Sequence, residues 1–316
     1  MNNEPVLFAL EGSQDFGHAV ASQLGVGLAG HENRVFDDGE HKSRPLQSVR
    51  GRDVYILHSL FGDETSSVND KLLRLLFFVA TVKDAGAKRV TALVPYLAYA
   101  RKDRRGKSQD PVTTRYVAQL FEAMGVDCVV ALEVHNQGAF DNAFRCQTVH
   151  LEAHSLFVNA IMDRIGHEPV VIVSPDAGGT KRVDRFRDAW ADTTGEQPPT
   201  AFLEKRRSEG RITGDAVVGD MTGRVAIIVD DMVASGTTLL RAAEACKNKG
   251  ATRVFGVITH ALFGPGSDQL YRAGAMDQLF ITDSVTPQQA PQGKGQVSVV
   301  PVAVLFAQAV RELRTG

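Results

Sequence analysis

The sequence predicts an α/β protein of two related lobes, each built on a mainly parallel sheet. Three observations carry that expectation. Apolar runs of strand length alternate with helical patterns, which implies parallel strands joined by helical crossovers. A chain of 316 residues exceeds one ordinary domain and fits two of about 150 each. Finally, the order of segments repeats. Asp84-Ala-Gly-Ala-Lys-Arg-Val90 recurs as Asn248-Lys-Gly-Ala-Thr-Arg-Val254, and upstream Gly51-Arg-Asp-Val-Tyr-Ile-Leu-His-Ser59 matches Gly223-Arg-Val-Ala-Ile-Ile-Val-Asp-Asp231. The offsets are 164 and 172 residues, so both matches fall in the same order about half a chain apart. Lobes of residues 1–150 and 151–316 follow, with a tail helix at about 300–314 that can pack on the first lobe.

The elements read in order as follows. Val54–Leu57 is a short apolar run after a basic turn. Val68, Leu72, Leu75, Leu76, Val79 and Val82 then recur at helical spacing, which predicts a helix over Val68–Lys83. Ala85-Gly86 ends it, because glycine adopts the left-handed conformation of a helix C-terminus at little cost. Val90–Val94 is the next strand. In the second lobe the buried run Val225–Val229 leads into Asp230-Asp231-Met232-Val233-Ala234-Ser235-Gly236-Thr237-Thr238 and a helix over Leu239–Lys247.

Composition narrows the function classes. The hydrophobic share of 43% and charged share of 23% are those of a folded globular chain. A net charge of −2 gives no electrostatic footprint for nucleic acid. The odd set Cys128, Cys146 and Cys246 lacks metal-ligand spacing and reads as reduced thiols. No basic segment precedes the apolar run Val6–Leu10, so no signal peptide is expected. Leu72–Val82 is interrupted by Arg74 and is shorter than the ~20 residues of a membrane span. A soluble, cytoplasmic protein without nucleic-acid or membrane partners is therefore expected.

The segment Asp230–Thr238 has the chemistry of a phosphate site. Two acids at the carboxyl end of a buried parallel strand stand where open α/β sheets bind ligands. The Ser-Gly-Thr-Thr run offers hydroxyls and small residues that let successive backbone N–H groups converge on an anion at a helix N-terminus. The alternative is that the acids only cap the helix. Their position four or more residues upstream of it favours the phosphate reading.

Acid-acid-x-x-x-Ser/Thr-Gly-x-Thr after an apolar strand resembles the sugar-phosphate loop of type I phosphoribosyltransferases and ribose-phosphate pyrophosphokinases. Four further stretches resemble the pyrophosphokinases in particular. Phe36-Asp37-Asp38-Gly39-Glu40 is similar to the family's Phe-x-x-Gly-Glu turn, although the residues alone fit an Asp-Gly β-turn equally well. Pro95-Tyr-Leu-Ala-Tyr-Ala-Arg101-Lys102-Asp103-Arg104-Arg105 resembles Pro-Tyr-x-x-Tyr-Ala-Arg-x-Asp-Arg, and its four cations could clamp a polyphosphate or form a solvated loop. Val134-His135 and Ser174-Pro175-Asp176-Ala177-Gly178-Gly179 match a third pair of segments. Leu203-Glu204-Lys205-Arg206-Arg207-Ser208 matches a polar, mobile catalytic loop.

The resemblance implies two phosphoribosyltransferase-type, Rossmann-like domains in a pseudo-duplicated chain. The first lobe would face ATP and the second ribose 5-phosphate. It further implies transfer of the β,γ-diphosphoryl group of Mg–ATP to the sugar 1-hydroxyl, giving PRPP and AMP. By resemblance, Lys205 and Arg207 are catalytic. Phe36, Asp38, Glu40, Arg101, Lys102, Asp103 and His135 bind ATP. Asp176, Asp230, Asp231, Ala234, Ser235, Gly236, Thr237 and Thr238 bind the sugar phosphate. His135 and Asp176 serve Mg²⁺, for which a carboxylate oxygen is apt and an imidazole nitrogen unusual. An adenine pocket shared between subunits implies self-association as a dimer or a higher oligomer such as a hexamer. A PRPP-consuming type I transferase would leave Arg101–Arg105 without a role, and a non-catalytic regulatory relative would have lost the positions just named. Departures from the family pattern are Glu133, Ala177, Ala234 and Thr237. Thr237 is the least expected, because a side chain there would crowd a nest that favours glycine. Residues of the family's regulatory anion site find no match.

Overall fold

A computed structural model of the chain describes residues 4–208, 211–267, 269–272, 274, 276–285 and 297–315, with the backbone alone at 177, 205–208, 211–216, 271 and 272. In chain order the elements are β1 (Val6–Ala9), α1 (Gln14–Leu24), β2 (His31–Val35), β3 (His41–Pro45), β4 (Asp53–Leu57), α2 (Val68–Asp84), β5 (Arg89–Val94), α3 (Thr113–Ala123), β6 (Cys128–Leu132), α4 (Gln137–Ala143) and β7 (Gln147–Leu151). There follow α5 (His154–Ile165), β8 (Val170–Ser174), a 3₁₀ turn (Ala177–Gly179), α6 (Thr180–Thr194), β9 (Thr200–Ser208), β10 (Arg211–Val218), β11 (Val225–Val233) and α7 (Thr237–Asn248). Last come β12 (Arg253–Ala261), α8 (Gln269–Arg272), β13 (Gln278–Thr282), β14 (Val297–Val300) and α9 (Ala303–Thr315). They form two compact units, Met1–Leu151 with Val302–Gly316, and Glu152–Pro301.

In the first unit β1, β4, β5, β6 and β7 lie side by side in that order, all parallel. Successive strand residues point to opposite faces, and β1, β4, β5 and β6 are buried on both of them. Val6, Phe8, Val54, Ile56, Val90, Ala92, Val129 and Ala131 form one apolar face under Leu75 and Val79 of α2 and Phe121 of α3. Helix α2 is stabilised at its start by a capping box between Ser67 and Asp70. It ends at Ala85, and Gly86 beyond it has φ +87°. The tail helix α9 packs on α1, with the Phe16 and Phe306 rings edge to face at 5.5 Å. Arg89 also donates to the Leu313 carbonyl at 3.1 Å. The antiparallel hairpin β2–β3 packs on α2.

The second unit has seven strands in the order β10-β9-β8-β11-β12-β13-β14, parallel except for the β9–β10 hairpin. From β8 the chain moves outward to β9 and β10, then returns to β11 and continues in the other direction. The point of reversal therefore lies between β8 and β11, the position at which open α/β sheets bind ligands. Helix α7 covers one face through Leu239, Ala242 and Cys246, which pack with Val171, Val173, Ala226 and Ile228.

Three boundaries differ from the sequence reading. Strand β11 runs on through Asp230 and Asp231 to Val233, because its ladder to β12 continues at Asp230↔Ile258 and Met232↔His260. Strand β9 continues to Ser208 where a loop was expected, since pairing with β10 supplies backbone partners. Val297–Val300 is an edge strand, so the tail helix begins later, at Ala303. The cysteines are free thiols, and burial pushes Cys128 up to about 11 and Cys246 up to about 12. Among the described residues no helix is long and apolar enough to cross a membrane.

Candidate functional site

The chemistry of the second unit converges on the reversal point. After β8, the Asp176 carboxylate accepts from the backbone N–H groups of Gly178 and Gly179 at 2.8 and 3.1 Å through Oδ1. This cap starts the short turn that becomes α6. The approach is close: a Cβ on Gly179 would lie 2.5 Å from Ser174 Oγ, so only glycine lets α6 begin against the end of β8. Val183, Phe186 and Trp190 anchor α6 in the core.

The first turn of α6 also delivers Arg182, a residue the sequence reading passed over. Its guanidinium reaches Asp230 Oδ1 at 2.7 Å and Asp231 Oδ1 at 2.8 Å. The Asp231 backbone N–H also donates to Asp230 Oδ1 at 2.9 Å. Burial, and then the adjacent Asp231 carboxylate, push the Asp230 carboxyl up to about 7, against the pull of Arg182. The available signal was the arginine three residues after Gly179, on the face of α6 that turns toward the strand ends.

The acids do not cap α7. Its N-cap is Gly236 in the left-handed conformation (φ +79°, ψ −5°), with no side-chain cap. The first backbone N–H groups of a helix have no acceptor within it, so this uncapped start is suited to an anion. A Cβ on Gly236 would lie 2.5 Å from Leu270 Cγ, so both space and backbone require glycine there. Thr237 is ordinary by comparison. It is the first helical residue, solvent-exposed, and its hydroxyl lies 3.3 Å from that of Ser235. The glycine requirement expected at Thr237 falls on Gly236. Ala234, Ser235 and Thr238 are exposed around the same turn.

Within the first unit, two of the stretches expected to face ATP meet. Asn136, beside His135, caps α4 by accepting from Ala139 N–H at 3.2 Å and donates to Asp103 Oδ2 at 2.6 Å. Asp103 therefore holds the Arg101–Asp103 segment next to the His135 loop. Arg101, Lys102 and His135 are exposed, and Lys102 Nζ lies 3.4 Å from Asp110 Oδ2. Glu133 is buried at φ +41°, an uncommon backbone for a residue with a Cβ, at the turn leading into His135. Phe36, Asp38 and Glu40 lie on a separate element, the exposed tip of the β2–β3 hairpin. The tip is a β-turn, with Gly39 at φ +90° donating its N–H to the Phe36 carbonyl at 2.9 Å. Glu40 N–H donates to Asp38 Oδ1 at 3.1 Å, and the Arg34 guanidinium covers the Phe36 ring at 4.8 Å. The β-turn is thus the local geometry, and it leaves Phe36 38% exposed.

The backbones of Lys205 and Arg207 lie in β9, opposite Asp215 and Ile212 of β10, and their side chains lie outside the described residues. His135 and Asp176 belong to different compact units. Among the described residues, no three His, Cys, Asp or Glu side chains gather as ligands for a metal.

Comparison with known proteins assigns the family. Residues 5–125 match the N-terminal domain of ribose phosphate pyrophosphokinase, and residues 207–316 match the phosphoribosyl synthetase-associated domain. A ribose-phosphate pyrophosphokinase of Vibrio vulnificus is 33% identical, over 97% of this chain and 95% of its own. Ribose-phosphate pyrophosphokinase 1 of Streptococcus pyogenes serotype M1 is 34% identical, over 96% and 92%. The crystal structure of phosphoribosylpyrophosphate synthetase from Mycobacterium smegmatis superposes with a TM-score of 0.88 at 29% identity, covering 99% of this chain and 100% of that one. On these similarities the chain belongs to the ribose-phosphate pyrophosphokinase family.

Proposed function

We propose that the protein transfers the β,γ-diphosphoryl group of ATP to the 1-hydroxyl of ribose 5-phosphate, releasing AMP and PRPP. The observation that carries this reading is the second unit's reversal point, where one strand brings two acids and then leads into an uncapped helix start, in a chain of this family. The 5-phosphate is held by the backbone N–H groups of Ser235–Thr238 at the positive end of α7. Asp230 and Asp231 accept hydrogen bonds from the ribose hydroxyls. Both acids are too far upstream of the helix to compete for the phosphate amides.

The first unit supplies the ATP contacts. Arg101 and Lys102 are exposed cations suited to phosphate oxygens, with Asp103 fixing their loop against Asn136. Phe36 offers an aromatic face to adenine, with Asp38 and Glu40 beside it. An adenine pocket of this kind, shared between copies, calls for a dimer or larger assembly. Lys205 and Arg207 neutralise charge on the transferring diphosphate, the main need of phosphoryl transfer.

Mg²⁺ fits as a cation that enters with ATP. Asp176 offers the hard oxygen donor it favours, and His135 is the other residue that the family resemblance implies for it. When bound, Mg²⁺ supplies neutralisation of the polyphosphate charge.

The test is an AMP-release assay with Mg²⁺, ATP and ribose 5-phosphate, run on the wild type and on Lys205→Ala. AMP should form only with the sugar present, and Lys205→Ala should lower kcat by at least about a hundredfold while sugar affinity changes little. Absence of AMP, or a variant as active as the wild type, contradicts the assignment.

A further inference from the structure

We propose that Arg182 is a positioning residue for the sugar diol, acting through Asp230 and Asp231. The inference rests on the reading of those acids as sugar acceptors and goes beyond it. Neighbouring residues on a strand point to opposite faces, yet one guanidinium reaches an oxygen of both acids, at 2.7 and 2.8 Å. A planar fork with two donors fixes the spacing of two carboxylates in a way that a lysine ammonium does not. Arg182 and Asp231 are largely shielded from water, with side chains 11% and 3% exposed, and Asp230 is half-buried at 27%.

The acids need such a partner. Two adjacent carboxylates in a dry site repel, and one would take up a proton. A protonated acid donates a hydrogen bond, whereas a diol that is to be held by two acids needs acceptors. The guanidinium opposes that protonation by pulling the Asp230 carboxyl down, and it fixes the separation of the two acids before the sugar arrives. Its own position is set by a rigid path: Asp176 caps the turn, Gly179 lies against Ser174, and α6 is anchored by Val183, Phe186 and Trp190.

The experiment is a set of four variants, Arg182→Met, Arg182→Lys, Asp230→Asn and the double Arg182→Met/Asp230→Asn. Ribose 5-phosphate binding is read by calorimetry, and the KM values for sugar and ATP are read by AMP release. Arg182→Met should weaken sugar binding by at least about tenfold and leave the KM for ATP within about twofold, with Arg182→Lys in between. In the Asp230→Asn background, Arg182→Met should cost no more than about threefold, because the group it acts through has been changed. Two results overturn the proposal. Additive effects in the double variant would mean that Arg182 touches the sugar itself. Sugar binding equal to the wild type, or equal losses for sugar and ATP, would mean that the fork only supports the fold. Failure of the wild type to release AMP contradicts the proposed reaction instead, and the binding comparison still decides the role of Arg182.

Discussion

Lys71 Nζ lies 2.5 Å from Asp63 Oδ2 and 3.8 Å above the Phe61 ring, with the lysine side chain 1% exposed. Against the burial that would raise it, hydrogen bonds from Lys71, Thr65 and Ser66 hold the Asp63 carboxyl far below the usual range. The sequence repeat sets Gly51–Ser59 against Gly223–Asp231, so His58 and Ser59 stand after β4 where the second unit carries Asp230 and Asp231. In the first unit the region beyond this strand holds an internal ion pair.

The two partners differ in what their loss leaves behind. Asp63→Ala strands a buried ammonium and should destabilise the protein by about 3 kcal/mol or more. Lys71→Met leaves a carboxylate still bonded to Thr65 and Ser66 and should cost about half as much. Thermal unfolding of both variants and of the double variant checks this. The double variant should be more stable than Asp63→Ala alone.

His58 beside this pair makes the first unit sensitive to acid. Its ring is fully buried, with Nδ1 3.1 Å from Ser13 Oγ, and burial above all, followed by Lys71 and Arg74, holds its pKa down to about 3. A histidine whose folded pKa is depressed contributes stability above its ordinary pKa, and that contribution is lost as pH falls toward the folded value. Wild-type melting temperature should therefore fall between about pH 6.5 and 3 more steeply than that of His58→Asn. Equal slopes would contradict the assignment of a buried neutral imidazole.

Gly236 and Thr237 make a paired prediction. Gly236→Ala forces a Cβ against Leu270 at a left-handed position and should weaken ribose 5-phosphate binding by at least about tenfold. Thr237→Gly changes an exposed first helical residue and should stay within about threefold. Calorimetric titration with the sugar phosphate separates the two. The opposite order would place the nest at Thr237.

Asp230 gives the sugar site a pH dependence. Its carboxyl is raised to about 7, so raising pH through that value ionises it and supplies the acceptor the sugar needs. The kcat/KM for ribose 5-phosphate should rise with pH and level off above about 7, with the rise missing in Asp230→Asn. For stability the sign is opposite. A raised carboxyl contributes stability at low pH that is lost as pH climbs from about 4 through about 7. Over that interval Asp230→Asn should gain in melting temperature relative to the wild type.

Much of the fold was legible because it rests on local patterns. The spacing of Leu72, Leu75, Leu76 and Val79 gave α2, and Gly86 gave its end. Asp230 and Asp231 were legible as acids that follow a buried apolar run, although not as residues still within its ladder. Pairing with β12 and β10 extends β11 and β9, and such partners are set by tertiary structure that no local pattern reports. Arg182 was missed for the same reason: an arginine near a helix start has no signature until the neighbouring strand places two carboxylates within its reach. Thr237 was misjudged because the left-handed residue of the loop is one position earlier, at Gly236.

The central claim is that two phosphoryl groups move together from nucleotide to sugar. ATP carrying oxygen-18 on its β-phosphate, incubated with Mg²⁺, ribose 5-phosphate and the protein, tests it directly by phosphorus NMR. The label should leave the nucleotide and appear in a diphosphate attached to the sugar, with AMP as the other product. Retention of the label in ADP, or in unreacted ATP after prolonged incubation, would contradict it.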